Sequence, residues 1–335
     1  MNESIKEHLF GWRSAFGEPF TVAVLEAIIL LAVGFGVVIQ MLRWFNRVSP
    51  EAYADLFARW RSWVVLSAGI LLPILLGAGW VILATLFLSL VCYREYARAT
   101  GLFREKDISL IIVLSMLAIA ISNLDHFERM FFSLAPLGAV AIAIITIPQD
   151  RPSGYIQRVA LGIMGFLLFS YCLGYIGLIS NDPRYRAILL LIFVGVELND
   201  IFAYCLGKLF GRTKLLPQTS PKKTVAGSVG AAALTTILVA FLAHLIFRNT
   251  ALDWWPRLCL LGFLVGFLGQ MGDLVLSSIK RDLGIKDLGV VIPGHGGWLD
   301  RFDSLVLVLP AVYHFLSYQL GPLAANMPAR IFTAP

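Results

Sequence analysis

Charge is scarce in this chain. Of its 335 residues only 27 are Lys or Arg and 21 are Asp or Glu, 14% in all, where a soluble domain carries about 25%. So few charges could not keep a 37 kDa globule in water. Cysteine is scarce too: Cys92, Cys172, Cys205 and Cys259 each stand alone in an apolar run, without CxxC spacing, so neither a zinc site nor a disulfide framework is suggested and they read as small core residues. No Lys/Arg tract of five or more occurs, so the net charge of +6 does not point to nucleic acid. The absence of G-x-x-x-x-G-K-[ST], G-x-G-x-x-G and G-x-S-x-G argues against P-loop hydrolysis, dinucleotide redox chemistry and serine-hydrolase catalysis. What is abundant is apolar sequence, 58% of residues with a mean hydropathy of +0.79. It comes in runs of about 20, the length a helix needs to cross a bilayer. These runs imply an all-α, polytopic integral membrane protein and exclude disorder, a coiled coil or a secreted mini-domain.

About ten spans are expected, near 20–42, 62–76, 78–97, 108–122, 129–147, 157–179, 186–209, 225–247, 257–279 and 302–320. The run 62–97 is divided at Pro73 and at Gly77, Ala78 and Gly79. With that division the connections at 43–61, 94–107, 148–158, 210–224 and 280–301 share one side and hold 18 Lys/Arg, against 8 on the side of the termini. The positive-inside rule puts the basic side in the cytoplasm, at a cytoplasmic (bacterial inner) membrane, with both termini outside. The first run reads as a retained span, not a signal peptide. Ser49 before Pro50 is an N-cap with proline at the first helical position, opening a short interfacial helix with Leu56, Phe57 and Trp60 on one side. The pairs Gly207/Gly211 and Gly262/Gly266 have the spacing for close helix approach.

Ionisable groups divide the chain into an N-terminal helical part, 1–180, and a C-terminal part, 181–335, where the chemistry concentrates. Glu197, Asp200 and Asp273 lie inside apolar runs. An acid at membrane depth costs at least a few kcal/mol. At about 100° per residue Asp273, Ser277 and Lys280 share a helix face, as do Glu197, Asp200 and Tyr204. Packing pairs would explain single acids, but Asp273 leads into a polar loop that extends to Asp303, with Gly284, Pro293, Gly294, Gly296 and Gly297 as backbone punctuation. Lys280, Arg281, Lys286 and Arg301 supply cations there, and Asp282, Asp287, Asp300 and Asp303 supply hard oxygen ligands. Acids with cations in one region suit a metal-bound polyphosphate.

The spacing of Lys280, Arg281, Lys286, Asp287, Pro293, His295, Gly296, Gly297, Asp300, Arg301 and Asp303 resembles the signature of the phosphatidate cytidylyltransferases, K-R, four residues, K-D, then a proline and H-G-G-x-x-D-R-x-D. Upstream, Asp200, Ala203, Tyr204, Gly207, Phe210 and Gly211 are similar to that family's D-x-x-A-Y-x-x-G-x-x-F-G, and Ser220, Pro221, Lys222, Lys223 and Thr224 to its S-P-x-K-T. The likeness covers roughly 195–305. Trp298 stands where the family is usually aliphatic, and Ala226-Gly227 where it usually has E-G.

The resemblance implies transfer of a cytidylyl group from CTP to phosphatidate in the bilayer, giving CDP-diacylglycerol and pyrophosphate, with Mg2+ as cofactor. Asp273 and Asp300 would be the main metal ligands and Asp303 and Asp200 auxiliary acids. Lys280 and Arg281 would act at the reacting phosphates with Asp273 and Asp300. Ser220, Lys222, Lys223, Thr224, Ser277, Lys286, His295, Gly296, Gly297 and Arg301 would line the substrate site, His295 shaping the loop or bonding a phosphate. A homodimer is compatible with the sequence. His8, His126, His244 and His314 lack partners at ligand spacing and read as structural. Two rival readings are a CTP-dependent polyprenol or phytol kinase, and an ion-coupled transporter using Asp200 and Asp273, which should show related halves.

Overall fold

The computed structural model describes residues 3–289, 297–323 and 330–333. Its helices are α1 (Glu3–Phe10), α2 (Pro19–Trp44), α3 (Pro50–Leu76), α4 (Ala78–Thr100), α5 (Lys106–Leu124), α6 (Glu128–Ile145), α7 (Tyr155–Phe166) and α8 (Leu173–Ile179), the last two joined by a π-helical turn at Leu167–Cys172. They continue as α9 (Tyr185–Phe210), α10 (Val225–Ile246), α11 (Trp255–Asp282), α12 (Leu299–Phe302) and α13 (Leu305–Leu320). The exception is an antiparallel hairpin of β1 (Lys214–Leu216) and β2 (Ser220–Thr224) between α9 and α10.

Among the described residues nine helices are long and apolar enough to cross a membrane. The tenth expected span appears as α13, only 16 residues long. Ser49 caps α3 as its sequence predicts, accepting the Ala52 N–H at 3.2 Å. The expected separate interfacial helix does not form. Its residues are the first turns of α3, because nothing between Trp60 and Ser67 interrupts a helical backbone; Pro73 lies inside the helix and the break falls at Gly77, with φ at 134°. Trp60 instead anchors α2, its indole N–H donating to the Ala32 carbonyl at 2.8 Å across from Gly36. The cysteines need a correction as well. Cys92 is buried, but Cys205 and Cys259 are exposed on the outer faces of their helices. Hydropathy cannot separate core from lipid-facing positions when lipid is as apolar as the core.

The two ends of the bundle differ. At one end α1 docks on the α3–α4 corner, where buried Arg186 donates to Gly11 O at 2.8 Å and Ile74 O at 3.1 Å. His8 contacts the Ser180 carbonyl at 3.0 Å, and burial, with His126 beside it, pushes its pKa down to about 4, so it is neutral at pH 7. His244 bonds Asp253 at 2.6 Å and His314 bonds Tyr175 at 2.9 Å. All are packing roles. The opposite end carries the hairpin and the loop after α11, in line with the alternation of charged connections. Between them Tyr96, Phe166, Phe169, Tyr175 and Tyr185 fill the core. In the C-terminal half helices approach more closely: a Cβ on Gly262 would lie 2.5 Å from Thr236 O, and one on Gly227 would lie 2.9 Å from the Gly207 Cα.

Candidate active site

A buried polar lock sets the register of α9, α10 and α11. Asn199 accepts from the Thr235 hydroxyl at 3.1 Å and from the Gln270 amide at 3.4 Å, and Gln270 also donates to Ser228 O at 2.9 Å. All three side chains are buried. Hydrogen bonds buried at membrane depth resist displacement, because breaking one would orphan a polar group at the cost of its desolvation. Asp200 is the next residue after Asn199, and Asp273 lies one turn beyond Gln270. The lock therefore fixes the two acids relative to each other.

Asp273 pairs with Lys223, and its other oxygen accepts from Ser277 at 3.3 Å, the partner expected on its helix face. Lys223 reaches inward from the end of β2, half-buried, whereas its neighbours Lys222 and Pro221 are exposed. Thr224 is buried, and its hydroxyl accepts the Gly227 N–H at 3.1 Å as the N-cap of α10. Its oxygen is thus engaged in the fold. Gly272 lets α11 touch the start of α13, since a Cβ there would meet Asp303 O at 2.6 Å. The contact brings the Asp303 carboxyl, itself buried, within hydrogen-bonding reach of Asp273. Arg301 lies on the other side, near Glu197 and Asp200.

Asp300 is held differently. One oxygen takes the Lys280 ammonium at 2.9 Å and the other takes backbone N–H groups of Leu288 at 3.2 Å and Gly297 at 3.1 Å. It clamps the two ends of the glycine-rich loop to α11. Arg281 turns the other way, onto the Thr219 carbonyl in the hairpin turn at 3.2 Å, tying hairpin to loop. Lys286 is exposed in that loop and Ser220 is half-buried in β2. Pro293, His295 and Gly296 lie outside the described residues.

One further acid supports the loop, and it comes from the N-terminal half. Glu95, near the end of α4 and only 6% exposed, accepts the N–H of Trp298 at 3.1 Å and of Leu299 at 2.9 Å. Gly289 and Gly297 press against its carboxylate so closely that a Cβ on either would fall 2.5 Å from an oxygen. Glu95 sits among tyrosines and arginines at a helix end, where a solvated charge is the ordinary reading, and its partners are backbone groups that no spacing rule identifies. Asn199 and Gln270 were equally hidden.

The structure thus brings Asp200, Asp273, Asp303, Lys223, Lys280 and Arg301 into one neighbourhood, with Glu197 at its edge. Asp300 enters through Lys280. Glu197, Asp200, Asp273, Asp300 and Asp303 outnumber the cations Lys223, Lys280 and Arg301 by two carboxyl groups, and the Asp273 and Asp303 carboxyls lie close enough to share a proton or a cation. Among the described residues no group of three or more His, Cys, Asp or Glu is arranged to hold a metal ion by itself. The donor set fits a hard ion taken by one or two carboxylates, Asp273 and Asp303, with its remaining positions left to phosphate oxygens.

A family model described as the cytidylyltransferase family matches residues 57–319. The uncharacterized protein YnbB of Escherichia coli (strain K12) is 30% identical over 306 residues, spanning 89% of this chain and 98% of that protein. A phosphatidate cytidylyltransferase of Staphylococcus saprophyticus is 36% identical over 219 residues, 57% of this chain and 83% of its own. One from Staphylococcus aureus is 36% identical over 231 residues, 60% and 87% of the two chains.

Proposed function

Because this chain belongs to the cytidylyltransferase family, and is an integral membrane nucleotidyltransferase, we propose that it transfers the cytidylyl group of CTP to phosphatidate, forming CDP-diacylglycerol and pyrophosphate. The observation that carries this reading is the meeting of Lys223–Asp273 and Lys280–Asp300 with the Asp273–Asp303 carboxyl pair at one end of an apolar bundle. The phosphatidate relatives match over more than half of this chain and support the choice of lipid.

A phosphate monoester has a second pKa near 6 and is largely dianionic at pH 7, so its oxygen needs no general base to become a nucleophile. That oxygen attacks the α-phosphorus of CTP, the bond from the α-phosphorus to the bridging oxygen of the β-phosphate breaks, and pyrophosphate leaves with the electron pair. The barrier lies in bringing two polyanions together. Lys223 and Lys280, already oriented by carboxylates, would move onto phosphate oxygens, and Arg301 would meet the incoming lipid phosphate. Once seated on the phosphates, cations placed in this way stabilise developing charge without reorganising at the moment of reaction. Magnesium held by Asp273 and Asp303 would neutralise phosphate oxygens that these side chains do not reach. Asp200 would keep Lys223 charged once its partner is shared, and Asp300 would hold Leu288 and Gly297 against Lys280 of α11.

Purified protein in detergent should therefore turn over only with CTP, phosphatidate and a divalent cation together, and chelation should abolish turnover until magnesium is restored. Full activity in excess chelator would remove the metal from this account. We place the site on the cytoplasmic side, because CTP must reach both the hairpin and the loop after α11. Thr213→Cys and Lys286→Cys, each in a cysteine-free background, should both resist an impermeant thiol reagent in intact cells. Labelling of either from outside would reverse the orientation.

A further inference from the structure

An apolar cavity of about 170 Å3 opens beside this site between α3 and α4, bounded by Val65, Gly69 and Pro73, by Ala84 and Phe87, and by Trp298 at its loop end. A second cavity of about 70 Å3 adjoins it. The two share Leu66, Ile70 and Phe302, while the second also reaches Trp63, Glu197 and Arg301. Set side by side across these three residues, they make a groove along α3 with charged groups at one end and apolar walls beyond. From Trp63 to Pro73 it runs ten helical residues, about 15 Å. A lipid phosphate presents the same order of chemistry, an anionic head followed by hydrocarbon.

We propose that this groove holds an acyl chain of the lipid phosphate substrate, with Trp298 as the residue that sets which chains fit. The proposal rests on phosphatidate being the substrate. Polar continuity decides the occupant. The outer faces of the other helices are also apolar, but this groove ends at Arg301 and Glu197, next to the acids and lysines of the candidate active site. Trp298 has a fixed position: its backbone N–H is bonded to Glu95, and its ring lies parallel to Phe302 at 6.4 Å and edge-on to Phe87 at 6.2 Å. An aliphatic side chain at 298, usual in the family this sequence resembles, would leave that end of the groove wider. Trp298 therefore links a loop that acts on phosphates to a wall that acts on hydrocarbon.

Gly69 provides a way to fill the groove without disturbing its walls, since a Cβ there meets nothing within 4 Å. Gly69→Leu should leave thermal stability and the KM for CTP unchanged, and should raise the KM for long-chain phosphatidate relative to short-chain phosphatidate. About fourfold is expected per methylene excluded. Trp298→Leu should shift the ratio in the opposite sense, towards branched and bulkier chains. Location is read separately, without turnover, with a phosphatidate carrying a photoreactive group at its acyl terminus. Label that unlabelled phosphatidate competes away should fall within 65–73 or 84–88 and should drop in Gly69→Leu. Competed label on α10 or α11, or chain-length ratios unchanged in both folded variants, overturns the groove. Failure of the unaltered protein to make a lipid-linked CMP would count against the reaction class instead, and the position of the label would still decide the groove.

Discussion

Asp273→Asn is expected to lower turnover by on the order of 10²- to 10³-fold, as loss of a principal electrostatic group does. The substitution keeps the volume and a hydrogen-bonding oxygen, so Ser277 retains a partner, but it removes the charge that faces Lys223 and the oxygen donor beside Asp303. Breaking a buried ion pair from one side also destabilises, because the remaining charge is stranded. Here Asp200 stands near Lys223 and can take over part of that role. The folded state should survive, which a melt in detergent checks. The geometry also decides which double mutant is informative. Asp303, not Asp300, lies within hydrogen-bonding reach of Asp273, so Asp273→Asn with Asp303→Asn should be scarcely worse than either alone if the two act as a unit. Asp300→Asn should impair turnover by a separate route, releasing Lys280 and the loop N–H groups. Near-normal turnover in folded Asp273→Asn would make this acid a packing residue.

Glu95→Gln should have the second largest effect, although Glu95 is remote in sequence from every motif. Its two oxygens accept two backbone N–H groups inside a wall of glycine. A glutamine would present one NH2 to a donor, leaving a buried amide N–H unpaired at about 1–3 kcal/mol. The segment carrying Asp300 and Arg301, α12, would loosen, with turnover falling by roughly 10²-fold, the size of effect that a misplacement of about 1 Å can have. A positioning role predicts faster proteolysis between 283 and 299 and a higher KM for CTP, with the melting of the bundle little changed. An unchanged KM and an unchanged cleavage rate would show that the loop does not depend on Glu95.

The spans were legible because bilayer crossing imposes length and hydropathy directly, and the break at Gly77 and the cap at Ser49 came from backbone chemistry. The signature residues were legible by spacing. Pairings were not. That Lys223 and not Lys222 would meet Asp273 depends on β2 being a strand, and the S-P-x-K-T segment has neither the length nor the alternation to announce one. The different partners of Asp300 and Asp303 were hidden for a similar reason. It depends on how closely Gly272 allows α11 to approach α13, a tertiary fact. Glu95, Asn199 and Gln270 lie in runs whose periodicity is the same whether they face lipid, core or loop. The interfacial helix failed because local amphipathicity says nothing about whether a helix stops.

The central claim, cytidylyl transfer to a lipid phosphate, is tested most directly by following two labels of CTP at once in purified protein with phosphatidate and magnesium. A label on the α-phosphate should enter the lipid while one on the γ-phosphate leaves as pyrophosphate, in equal amounts. Transfer of the γ-label to a lipid alcohol, with CDP as the water-soluble product, would contradict it and make the protein a CTP-dependent lipid kinase.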